Sequence, residues 1–160
     1  MSLEQELREF FGNEIKIVVI MGVGQSLRGD DAVGPRVIEL LESKKMSDVI
    51  LINAETVPEN YVGKIAQYNP SHVLIVDAAN FHGSPGETKL ISKEEIGGQR
   101  ISTHKLPLNI SIHFIEDSTN ASIIVLGIQP MSIGLGDPMT EPLEAAAVSV
   151  SNTLYQILSE

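Results

Sequence analysis

The sequence contains no cysteine, which excludes disulfides, thiolate metal sites and a cysteine nucleophile together. A chain without cysteine fits a reducing compartment. No run of about 18 apolar residues is present, so no membrane-spanning helix is expected. The segment Met1 to Phe11 is rich in Glu and reads as a short helix, lacking the basic start and apolar stretch of a signal peptide. The expected location is the cytoplasm. Basic residues are scarce, with 11 Lys and Arg against 21 Asp and Glu, a formal charge of −10. Such a surface repels phosphate backbones and anionic lipid heads, so nucleic-acid and membrane-surface roles are not expected. No repeat, low-complexity tract or dividing linker is visible. The 160 residues are expected to form one domain.

Alternating apolar segments point to an α/β fold. The run from Ile15 to Met21 ends at Gly22-Val23-Gly24 and reads as a buried strand. Val33, Val37, Leu40 and Leu41 recur at helical spacing, giving a helix to about Lys44. Val49 to Ile52 is a second strand. Pro58 opens a helix with Tyr61, Ile65 and Tyr68 on one face, broken at Asn69-Pro70. Val73 to Val76 is the third strand, bounded by Asp77, and Glu87 to Ile91 the fourth. Only Ala78 to Gly86 joins those two, too little for a parallel crossover. The fourth strand is therefore expected to run antiparallel. Pro107 to Ile115 reads as a helix, Ser122 to Ile128 as the fifth strand, and the segment from Glu141 as a long amphipathic helix. The sum is a three-layer α/β/α fold around a five-stranded mixed sheet.

Ligands of open α/β sheets bind outside the carboxyl ends of the parallel strands. That rule selects the segments 22–31, 77–80 and 101–105. The first nearly matches several motifs. A dinucleotide fingerprint would need glycine where Leu27 stands, and a phosphate loop would need lysine where Asp30 stands. A nucleophile elbow centred on Ser26 would need glycine where Arg28 stands. The order Ser26, Asp77, His104 still mimics one serine-hydrolase order, so that reading is kept as a rival.

Asp30-Asp31 is the informative pair. One carboxylate can cap the following helix, which leaves the second either solvated or functional. Asp77 is either a turn residue hydrogen-bonded to its own backbone or a carboxylate facing the crevice. Of the four histidines, His72 starts a strand, His113 lies off its helix stripe, and His82 sits in the short turn after the third strand. His104 precedes Pro107 at a helix start. Two carboxylates and one imidazole would make an open divalent-metal site with room for water or substrate. No HExxH pair is present, so an ordinary zinc-protease arrangement is absent.

The stretch GVGQSLRGDDAVGP from Gly22 to Pro35 resembles the opening signature of the nickel-iron hydrogenase maturation endopeptidases. VPEN at 57–60, LIVDAAN at 74–80, STHKLPLN at 102–109, LGIQP at 126–130 and PMTEP at 138–142 continue the resemblance. It extends from about Ile15 to Leu158 and looks closest to the branch serving hydrogenases of the formate hydrogenlyase type.

The resemblance implies a five-stranded mixed sheet with one antiparallel strand. It implies metal contacts at Asp31, Asp77 and His104, and it rejects His82. The implied reaction removes a C-terminal extension from the hydrogenase large-subunit precursor after nickel insertion. The nickel is brought by the substrate, and other divalent ions could occupy the same ligands. A monomer is expected.

Gln25, Glu59 and Asn60 lie in matched blocks and are candidates for holding substrate, or for loop hydrogen bonding. Two departures stand out. Gln25 replaces the family's usual Asn, and Ala32 replaces its frequent Gly, which would matter if that position needed positive φ. The alternative to a peptidase with the same three ligands is a non-catalytic, nickel-dependent docking or chaperone module.

Overall fold

The computed structural model describes residues 1–15, 17–96, 102–103 and 108–160. Helix α1 (Leu3–Phe11) begins with a capping box, in which Ser2 Oγ accepts from Gln5 N and Gln5 Oε1 accepts from Ser2 N. It stops at Gly12, whose φ of 63° suits glycine. Strand β1 (Val18–Val23) leads through a 3-10 turn at Gly29–Ala32 into α2 (Val33–Glu42). Strand β2 (Val49–Glu55) leads through a second 3-10 turn, Pro58–Tyr61, into α3 (Val62–Tyr68). Then come β3 (His72–Asn80), β4 (Thr88–Ile91), α4 (Lys93–Ile96), β5 (Ser102–Thr103), α5 (Leu108–Ser118), β6 (Ser122–Ile128) and α6 (Glu141–Leu158).

The main sheet has the order β2-β1-β3-β6-β4. Strands β2, β1, β3 and β6 are parallel, and β4 pairs antiparallel with β6. The antiparallel strand expected from its short connection is therefore present. Its partner is β6, which arrives later in the chain and inserts between β3 and β4. The two-residue β5 was not foreseen. It pairs antiparallel with Ala79 and Asn80.

Both faces of the sheet are covered, which is why β1 and β3 read as unbroken apolar runs. On one face Leu7, Phe11, Val37, Leu41, Leu143 and Leu154 from α1, α2 and α6 pack on Ile20, Leu74 and Val76. On the other face Ile65, Leu108, Ile112 and Ile115 from α3 and α5 pack on Met21, Ile75 and Val125. The helical stripes expected from spacing are thus the buried ones, and His113 is exposed, as its place off the stripe implied.

Two glycines bring α2 onto the sheet at the end that matters for function. A Cβ on Gly34 would lie 2.4 Å from Val23 O and 2.5 Å from Val76 O, and one on Gly22 would lie 2.5 Å from Gly34 O. All are backbone atoms, which a rotamer change cannot move aside. Gly34→Ala should lift the start of α2 off β1 and β3 and cost about 3 kcal/mol or more, the upper range of overpacking. Urea unfolding would register this as a lower midpoint.

His72 is a satisfied core histidine. Its Nδ1 lies 2.8 Å from Ser71 Oγ, and its ring meets Phe10 and Phe11 edge-on. Burial pushes its pKa below the usual imidazole value, partly opposed by a hydrogen bond with the Phe10 backbone.

Candidate active site

Asp77 lies inside β3, opposite Gly127 of β6, rather than in a turn after the strand. Strand β3 extends to Asn80 because pairing with β6 and then β5 satisfies its backbone past Val76. Side chains alternate along a strand, so Asp77 shares the face of Val73, Ile75 and Ala79, beneath α3 and α5. Its exposure is 0%. A turn residue serving its own backbone would not be so deeply enclosed.

Neither member of the acidic pair caps α2, whose N-cap position is Ala32. The two aspartates divide other tasks. Asp30 Oδ2 accepts from Met131 N at 2.8 Å and Ser132 N at 3.0 Å, and Oδ1 accepts from Thr140 N at 2.7 Å. Thr140 Oγ1 lies 2.9 Å from both oxygens. Asp30 is therefore an anchor for the segment between β6 and α6. Asp31 Oδ2 accepts from Gln25 N at 2.8 Å, which closes the loop between β1 and α2. Asp31 is 1% exposed. Its Gly29–Ala32 turn packs on β3, so it and Asp77 occupy the same end of the sheet.

The loop cannot cradle a phosphate. The backbone N–H groups of Gln25, Arg28, Gly29, Asp30 and Asp31 all donate to acceptors within the chain. A phosphate loop needs those donors free. Gly24 permits the tight closure, since a Cβ there would fall 1.9 Å from Asp31 O. Ala32 has φ −76°, so a side chain at that position carries no backbone strain.

Ser26 is exposed and sits in a loop that ends in a 3-10 turn before α2 begins at Val33. A nucleophile elbow requires a sharp turn directly from strand to helix. Ser26→Ala is expected to leave hydrolytic activity within about twofold of wild type, since most exposed substitutions are near neutral. Retained cleavage together with no labelling by a fluorophosphonate would confirm it.

Gln25 is half-buried beside Asp31. Glu59 and Asn60 are exposed on the 3-10 turn after β2, also at the carboxyl end of the sheet. His82 is exposed on the loop after β3, with φ 62° and its N–H donated to Asn80 Oδ1. His104 lies outside the described residues. The segment preceding it, Ser102–Thr103, pairs with β3 just beyond Asp77. Among the described residues, no three His, Cys, Asp or Glu side chains cluster tightly enough to hold a metal. The described part of the candidate ligand set is Asp31 and Asp77.

Two residues acquired roles that spacing did not suggest. Asp30 is one. Gln129 is the other: it is buried, its Oε1 accepts from Phe81 N and Gly83 N, and its Nε2 donates to Asn80 Oδ1. It holds the β3–β4 connection where it leaves the site. The hints were an amide standing between an apolar strand and Pro130, and its place in the LGIQP block.

The HycI family profile, described as hydrogenase maturation protease, matches residues 35–158. The chain belongs to that family. It is 34% identical over 141 residues to the hydrogenase 3 maturation protease of Escherichia coli K12, covering 88% of this chain and 87% of the relative. The crystal structure of the NiFe hydrogenase maturation protease HycI from Thermococcus kodakarensis KOD1 superposes with a TM-score of 0.89 at 36% identity. It covers 97% of this chain and 99% of that one. The solution structure of the endopeptidase HycI from Escherichia coli gives 0.77 at 32% identity, covering 90% of each chain. These HycI structures carry the same architecture, helices on both sides of a five-stranded mixed sheet.

Proposed function

We propose that this maturation protease is an endopeptidase that removes a C-terminal extension from the large-subunit precursor of a NiFe hydrogenase after nickel insertion. Asp31, Asp77 and His104 meet the nickel that the precursor carries. The observation that carries the reading is the coincidence of family membership with two deeply buried carboxylates at the carboxyl end of the sheet.

The chemistry follows from those groups. Carboxylate oxygens and an imidazole are suitable donors for a divalent transition metal, and in a site of low dielectric two negative charges favour a cation strongly. No thiolate nucleophile is available without cysteine and Ser26 is not held in a nucleophile elbow, and the proposed nucleophile is water. Water adds to the scissile carbonyl, the carbon–nitrogen bond breaks, and the new amine leaves with a proton while a new carboxyl terminus forms. Precursor nickel positions the carbonyl or the water, which turns binding into orientation. The enzyme acts as a cytoplasmic monomer.

Intact mass of the nickel-loaded precursor, before and after incubation, tests the proposal with nickel-free precursor alongside. Loss of a C-terminal peptide from the nickel-loaded sample alone is expected. Unchanged mass with retained binding would favour the second reading, a nickel-dependent docking module built on the same ligands.

A further inference from the structure

The loop carrying Asp31 and the segment between β6 and α6 are joined backbone to backbone. Gly136 N donates to Leu27 O at 2.8 Å, Gly29 N to Asp137 O at 3.1 Å, and Asp30 N to Ser132 O at 2.8 Å. The Asp30 carboxylate adds the bonds from Met131 N and Ser132 N. The two loops therefore make one rigid rim beside the candidate site. On that rim stand three large apolar side chains in water: Leu27 is 66% exposed, Met131 59% and Leu135 69%. A loop whose backbone is already ordered loses little further backbone freedom when a ligand covers its apolar side chains.

We propose that this rim grips apolar residues of the precursor next to the scissile bond and seats its C-terminal extension against Asp31. The proposal rests on the endopeptidase reading. Its position favours that occupant, since Leu27 lies in the same loop as Asp31. A second copy of this chain fits poorly. Three side chains expose on the order of a few hundred Å², the size of a functional patch on a monomer, against the roughly 800 Å² per partner of a stable complex. Two copies would also each bring a formal charge of −10 to the contact.

The test compares wild type with the double variant Leu27→Ser, Leu135→Ser and with Val148→Ser, an apolar position 40% exposed on α6. Affinity for nickel-loaded precursor is measured at equilibrium, and KM and kcat are measured for its cleavage. The double variant should bind the precursor roughly tenfold more weakly and raise KM by a similar factor. Its kcat should stay within about twofold, its Tm should be unchanged, and Val148→Ser should match wild type. Equal affinity of the double variant and wild type would overturn the proposal, as would an equal loss in Val148→Ser or no precursor binding by wild type. Wild type that binds without cutting would sink the endopeptidase reading, while the affinity comparison still decides the role of the rim. Sedimentation showing a wild-type dimer that the double variant abolishes would reassign the rim to self-association and overturn the proposal.

Discussion

Asp31→Asn and Asp77→Asn are each expected to reduce cleavage of nickel-loaded precursor by roughly 10²–10³-fold or more, the loss typical of removing one electrostatic group from an active site. The substitution is nearly isosteric. In Asp31→Asn the amide oxygen can still accept from Gln25 N, the bond that closes the loop at 2.8 Å. What disappears is the negative charge, and with it the attraction for a divalent cation. Both side chains are almost wholly enclosed, so the charge acts in a medium that screens it weakly. Folding should survive, because the nearly isosteric change adds and removes almost no volume at either buried position. Single-turnover cleavage and thermal unfolding on the same samples check both halves. Activity within threefold of wild type for either variant would remove that residue from the proposed site.

Asp30→Ala should have the opposite signature, a large loss of stability. Asp30 gathers three backbone N–H groups and one hydroxyl, from Met131, Ser132 and Thr140. Thr140 is also the N-cap of α6. Removing the carboxylate leaves those donors without their acceptor at a residue that is 0% exposed. At about 1–3 kcal/mol for each orphaned group, discounted for water entry, the cost should reach roughly 3–5 kcal/mol. That is a large share of the 5–15 kcal/mol that holds a typical domain folded.

Asp30→Asn should cost less, about 1.5–3 kcal/mol. Its amide nitrogen must face one set of donors, either the Met131 and Ser132 pair or Thr140, while its oxygen serves the other. Thr140→Ala should cost least, since its backbone N–H keeps its acceptor. Urea midpoints in the order wild type, Thr140→Ala, Asp30→Asn, Asp30→Ala would confirm the series. A midpoint for Asp30→Ala close to that of wild type would refute the anchoring role.

The contrast between these adjacent aspartates shows where local reading stops. Both looked alike along the chain, and each was a plausible helix cap. Their separation into an anchor and a candidate ligand depends on Met131, Ser132 and Thr140, about a hundred positions away and brought near only by the return of the chain through β6 into α6. Likewise, the short link before β4 was enough to require an antiparallel strand. It could not reveal that β6 would insert between β3 and β4, because nothing in a connection's length names a strand's neighbour. Asp77 was legible only as the carboxylate bounding an apolar strand; that it lies within the strand was decided by pairing with Gly127. The helical stripes of α2, α5 and α6 were legible because side-chain spacing repeats with the helix itself.

By itself, then, the sequence determined the α/β alternation, the buried parallel strands, the helix faces and the family's ordered blocks, all of which depend on spacing between near neighbours. Only the tertiary structure decided that Asp30 anchors the segment between β6 and α6, how closely Gly34 lets α2 approach β1 and β3, and that Leu27, Met131 and Leu135 stand on one rim. Those are contacts between residues remote in the chain, and their energies arise from burial and hydrogen-bond geometry that exist only once the layers have packed.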